Sequence, residues 1–168
     1  MMPVFVILVA MVLMGMVLWV AQAYRTLRFA RNQMIEAWND LKQGLSDRRD
    51  MVPYLVASGP LNMAPVLEVL GNACDLAANV EGVSECSQSE SRLSAALTRL
   101  FTELDARAPI ETMELLSPLR ERFERQERHI ELLRDAYNRQ VDLFNALQQR
   151  GAARLWVSFG VVRPLERF

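Results

Sequence analysis

The residues best placed to do chemistry lie in 46-SDRRDMVPYLV-56, where Arg48, Arg49 and Asp50 run into an apolar segment interrupted by Pro53. Guanidiniums beside a carboxylate can hold an anionic ligand, lock two helices together, or face water. The remaining candidates are sparse. His129 is the single histidine and sits among charged neighbours. Cys74 and Cys86 are the two cysteines, and the glycine-containing polar stretch between them gives neither a metal-ligand spacing nor a disulfide framework. They read as small packing thiols. The sequence carries no phosphate-cradling glycine loop, no His-Glu-x-x-His, and no Glu-x-x-His pair of the kind that builds carboxylate-bridged metal sites. Catalysis requires a nucleophile, a metal, or a paired acid and base in a pocket. The chain therefore reads as no enzyme, with no catalytic residue, metal or cofactor assigned.

Which use the arginines serve depends on the elements that carry them. Leu, Ala, Glu, Arg, Gln and Met dominate and no series of short alternating strands occurs, so the fold class is all-α. Met34, Trp38, Leu41, Leu45, Arg48, Val52 and Leu55 recur at spacings of four and three, one face of a helix packed against others. Gly44 costs this helix ~1 kcal/mol. Pro53 removes a backbone bond and clashes with the Arg49 carbonyl, which predicts a kink, and Ser58-Gly59-Pro60 ends the helix. Two shorter helices follow. Asn62 caps the first, with Pro65 in its opening turn, and the second runs from about Ser87 to Arg107 after a turn at Glu81-Gly82-Val83-Ser84. The last spans about Glu111 to Gln149, with Leu119, Phe123, Gln126, Ile130, Leu133, Tyr137, Val141, Phe144 and Gln148 on its stripe. Four helices with short connections favour an antiparallel up-down-up-down bundle.

Arg48 thus sits on the packing stripe rather than the solvated face. A buried charge left unpaired costs several kcal/mol, so Arg48 requires a partner. With the last helix antiparallel to the first, Glu127 is the acid beside the seam at the same height. The expectation is an Arg48–Glu127 ion pair with Arg49, Asp50, Arg134 and Asn138 as neighbours, a polar lock that selects one helix alignment. A ligand site is the alternative.

Ahead of the bundle, Val4 to Ala23 carries no charge and one amide, Gln22. About 20 apolar residues at ~1.5 Å each cross a bilayer core of ~30 Å. Ala21-Gln22-Ala23 has the small-x-small form of a signal-peptide cleavage site. Against cleavage, Met1-Met2-Pro3 has no basic residue, the apolar run exceeds the usual ~7 to 15 residues, and Arg25, Arg28 and Arg31 follow at once. The reading is a single-pass anchor that continues into the first bundle helix, with Trp19 and Tyr24 at the interface. The arginines favour a cytoplasmic bundle, the periplasmic side being the alternative. In the tail, 154-RLWVSFGVVRPLERF-168, Trp156, Phe159 and Phe168 lie among arginines. These aromatics either rest at the membrane interface or fold back onto the bundle. The expected organisation is an anchor over 1–24, an elongated bundle over 25–150 and an amphipathic tail over 151–168. With 168 residues and a formal net charge of −1, the chain has room for one modest domain and no broad attraction to nucleic acid.

The blocks 37-AWNDLKQGLSDRRDMVPYLV-56 and 127-ERHIELLRDAYNRQVDLFN-145, behind an N-terminal span, resemble the LemA family of bacterial membrane-anchored helical proteins. Ala37-Trp38, Arg48-Arg49-Asp50, Pro53, Leu55-Val56, Glu127, Ile130, Arg134, Tyr137-Asn138, Val141 and Phe144-Asn145 occupy the family's motif positions. The chain departs from the pattern in the middle: Ala64-Pro65-Val66 stands where a His-Glu pair is usual, and Tyr54 replaces Asn after Pro53. The resemblance implies a largely helical, antiparallel domain attached to the bacterial cytoplasmic membrane, in a family without an established enzymatic activity. Two functions fit. One is a noncatalytic scaffold or adaptor that presents a bundle surface to an unidentified protein partner. The other is a lipid-interacting role in which the arginine collar and the tail organise the anionic leaflet. A membrane-anchored coil with so regular a stripe could also form a homo-oligomer.

Overall fold

The structure is a computed structural model and describes residues 2–149 and 166–168. Among the described residues the regular structure is entirely helical: α1 (Met2–Ser58), a 3-10 turn at Leu61–Met63, α2 (Ala64–Ala78), α3 (Val83–Arg107) and α4 (Ile110–Gln148). The chain divides into two compact units. One comprises Met1–Ala37 with Arg139–Leu165, the other Trp38–Asn138 with Glu166–Phe168.

In the first unit, the N-terminal part of α1 is the one described segment long and apolar enough to cross a membrane, and none of its apolar window is buried. Trp19, Tyr24, Arg25, Arg28 and Arg31 are all exposed. Ala30, Met34, Val141 and Phe144 are buried and continue the four-three stripes of α1 and α4.

The second unit is an up-down-up-down bundle, and its contacts fix the directions. Along α1 and α4, Trp38 meets Tyr137, Gly44 lies against Ile130 and Leu133, and Arg48 meets Glu127, so the numbers rise on one helix as they fall on the other. Arg49 reaches Ala77, and Gly59 lies against Leu67, which sets α2 antiparallel to α1. Ser94 with Glu127, Phe101 with Phe123, and Asp105 with Arg120 do the same for α3 and α4. The apolar core gathers Val52 and Leu55 from α1, Leu67 and Leu70 from α2, Leu93, Leu97, Leu100 and Leu104 from α3, and Leu116 and Phe123 from α4.

Local chemistry accounts for three details. Helix α1 runs through Pro53 unbroken. Proline has no N–H, so the Arg49 carbonyl loses its helical partner; the Cys74 thiol donates to that oxygen at 3.7 Å. Asn62 does not cap α2. It lies in the 3-10 turn, Met63 is the N-cap without a side-chain bond, and proline in the first turn leaves one fewer N–H to satisfy. Helix α3 begins at Val83 rather than Ser87, directly after an extended Gly82, with Glu85 in its first turn where the helix dipole favours an acid.

Gly44 is buried where α1 approaches α4. A Cβ there would come to 2.8 Å from Leu133 Cδ1, the movable end of a half-buried side chain, and the Gly44 carbonyl accepts from Gln126 Nε2 at 2.9 Å. Gly44→Ala is expected within about 1 kcal/mol of the parent, since the helix gain of ~1 kcal/mol offsets a small shift of Leu133. Gly44→Leu is expected to lose about 1–3 kcal/mol through overpacking. Urea unfolding followed by far-UV circular dichroism measures both.

Candidate functional site

The bundle buries a group of charges contributed by α1, α3 and α4. Arg48 is 1% exposed and Glu90 is 3% exposed. Each carboxylate oxygen of Glu90 takes one guanidinium: Oε2 accepts from Arg48 Nη2 and Oε1 from Arg49 Nη1. Arg48 Nη1 donates to Glu127 Oε2 at 2.5 Å and to Ser94 Oγ at 2.8 Å. The Ser94 hydroxyl in turn donates to Glu127 Oε1 at 3.3 Å. Arg49 Nη1 also donates to the Ala77 carbonyl at 3.2 Å, which ties α2 to the same group. Two guanidiniums and two carboxylates make the cluster formally neutral, the condition under which charges survive in a low-dielectric interior. Arg48 Nε is buried and, among the described residues, without a hydrogen-bond partner.

The two acids are not equivalent. The side chain of Glu127 is 43% exposed, whereas that of Glu90 is 4% exposed. Glu90 is therefore the buried counterion, and Glu127 closes the cluster from the solvent side. Asp50 and Arg134, expected as neighbours, are exposed and stand outside this group.

Asn138 belongs to a second polar group. Its Nδ2 donates to the Phe168 backbone oxygen at 3.1 Å, and its Oδ1 accepts from the Phe168 N–H at 2.9 Å. The Tyr137 hydroxyl donates to the Glu166 carbonyl at 3.1 Å. The Trp38 ring lies 5.2 Å from Tyr137 and 5.9 Å from Phe168, centroid to centroid. Of the tail aromatics, Phe168 thus folds onto the bundle, while Trp156 and Phe159 lie outside the described residues.

Glu90 and Ser94 are the site residues that the sequence reading passed over. Pairing Arg48 with Glu127 by height compares α1 with α4 alone and leaves α3 aside. The signal was nevertheless present: Cys86, Glu90, Leu93, Leu97, Leu100 and Leu104 alternate at four and three, which puts Glu90 on the packing stripe just as Arg48 is on that of α1.

A family model described as the LemA family matches residues 37–168. The chain belongs to the LemA family. No curated protein matches it. Six of the residues that carry the LemA resemblance build the two polar groups: Arg48, Arg49 and Glu127 in the first, Trp38, Tyr137 and Asn138 in the second. Glu90 and Ser94 complete the first from a helix outside the two motif blocks.

Two outcomes follow from this geometry. Removing the buried counterion by Glu90→Ala is expected to destabilise the bundle by about 3–5 kcal/mol, because Arg48 then lacks its inner partner. Glu127→Ala, at a half-open position, costs less, and Arg48→Met combined with Glu90→Leu recovers most of the loss. Urea denaturation measures the series, and a Glu90→Ala cost below about 1 kcal/mol would contradict the buried pairing. The thiols give a pH test. Burial pushes both Cys74 and Cys86 above their ordinary range, with Asp75 adding at Cys74 and Glu90 at Cys86. Folding thus favours the neutral thiols; that stabilisation is full below the unfolded thiol pKa and is lost as pH rises through the folded one. At pH 8 both are expected to react with a thiol reagent much more slowly in folded protein than in urea, and the thiols' contribution to stability is expected to decline at alkaline pH.

Proposed function

We propose that this LemA-family chain is a noncatalytic scaffold anchored in the bacterial cytoplasmic membrane by the N-terminal part of α1, with its bundle on the cytoplasmic side and its helix alignment set by the Arg48–Glu90–Glu127 lock. Pairing of the buried charges with one another supports a positioning role for them rather than a reactive one. The observation that carries the scaffold reading is an open apolar surface at the α3–α4 turn. Ile110 and Leu115 are 75% and 72% exposed there. Phe101, Leu104, Met113 and Leu116 line an adjoining groove of about 390 Å³. Asp105 and Arg120 pair at its rim, at 2.6 and 3.1 Å, and the Arg120 hydrogen bonds hold the Asp105 carboxyl below the usual carboxylate range. An apolar floor beside a paired, charged rim suits an apolar side chain on a partner protein.

A lipid-interacting role is the second reading, favoured by exposed Arg25, Arg28 and Arg31 directly beyond the apolar window. In-cell crosslinking with mass spectrometry separates the two. The scaffold reading expects protein crosslinks that disappear in an Ile110→Glu/Leu115→Glu variant with unchanged helicity. Crosslinks indifferent to that variant, together with membrane distribution that changes when residues 154–168 are deleted, would move the assignment to lipid.

A further inference from the structure

The segment Glu166-Arg167-Phe168 is held in a manner distinct from helix packing. Asn138 reads both the N–H and the backbone oxygen of Phe168, and Tyr137 reads the carbonyl of Glu166. Bonds to the backbone of residues 166 and 168, skipping one residue, follow the alternation of an extended chain. Main-chain recognition of this kind gives affinity to any extended peptide, and selectivity then comes from side-chain pockets. Here the selective element is aromatic: the Phe168 ring lies against Trp38, tilted by 51°. Trp38 is itself braced by Tyr137 at 5.2 Å and has Lys42 Nζ over its ring at 5.9 Å. Burial of the Tyr137 hydroxyl, aided by Glu166, raises its pKa and keeps it protonated as a donor. The segment belongs to the same chain as the side chains that hold it, so its binding is intramolecular and is favoured over that of a free peptide of the same sequence.

We propose that Trp38, Tyr137 and Asn138 form a peptide-docking slot that is occupied in cis by residues 166–168 and accepts in trans an extended segment bearing phenylalanine at the Phe168 position. The slot deepens the scaffold reading by giving a partner peptide a place to bind, and rests on that reading only for the partner's existence. A peptide that places an aromatic ring on Trp38 and offers its backbone to both Asn138 and Tyr137 reproduces these contacts.

The test needs no partner. The full chain in nanodiscs, with residues 166–168 deleted, is titrated into a fluorescein-labelled synthetic peptide of residues 163–168, and anisotropy is read. Saturable binding is expected, at least tenfold tighter than to the intact chain, whose slot is filled. In the deleted background Asn138→Ala is expected to weaken binding at least tenfold and Tyr137→Phe, which removes one hydroxyl, severalfold; a peptide carrying Phe168→Ala should fail to bind. Circular dichroism checks the fold of each variant, and an intact chain carrying Phe168→Ala replaces the deletion if that proves unfolded. Absence of binding to the vacated chain, equal binding to intact and vacated chains, or indifference to Tyr137→Phe would each overturn the slot. Such a failure leaves the α3–α4 groove untouched, and failure of the crosslinking leaves the slot untouched.

Discussion

A guanidinium with almost no exposure cannot stand alone in a helical core, and the arrangement around Arg48 follows from that requirement. Its charge must be neutralised within contact distance, and here both terminal nitrogens meet acceptors. Glu90 supplies the buried charge, Glu127 the outer one, and Ser94 bridges Arg48 to Glu127 by accepting from one and donating to the other. Arg49 shares Glu90 and reaches α2 through the Ala77 carbonyl. Four helices are therefore tied at one level by one neutral group. An apolar stripe alone tolerates sliding by a turn; a charge pair that must meet does not.

The same level of the bundle shows how neighbouring residues accommodate one another. Pro53 frees the Arg49 carbonyl, which accepts from the Cys74 thiol, and α1 continues through the proline, so that Arg48 and Leu55 stay on one helix. Cys86 precedes Glu90 by one turn of α3 and is buried beside it, which accounts for a cysteine in a serine-rich run. Neither thiol needs a redox or metal role to explain its position.

Most of the architecture was legible in the sequence because the four-three stripes of α1 and α4 are long and their direction follows from short connections. Arg48 stood out for the same reason, as a charge on a stripe, and the antiparallel height relation nominated Glu127. Glu90 escaped because matching Arg48 by height compares α1 with α4 alone, although Glu90 falls inside the expected helix from Ser87 and on its packing stripe. Asn62 failed as a cap because proline in the first turn removes part of the need for one. Asn138, expected as a neighbour of the Arg48–Glu127 pair, holds Phe168 instead, because helix periodicity carries no information about a distant segment returning to it; Glu166 to Phe168 lie beyond the reach of any local pattern.

LemA membership names the family, while the chain's own side chains define two surfaces, the α3–α4 groove and the Trp38 slot, on a bundle held at fixed alignment. The alignment itself is open to direct measurement. Nitroxide labels at Asp40→Cys and Arg134→Cys, in a Cys74→Ser/Cys86→Ala background, report the α1–α4 alignment by pulsed dipolar spectroscopy. The native cluster predicts one narrow distance distribution, and Arg48→Met with Glu90→Leu predicts a broadened one with a population displaced by about a helical turn, ~5.4 Å, despite retained stability. The same narrow distribution in both proteins would contradict the lock.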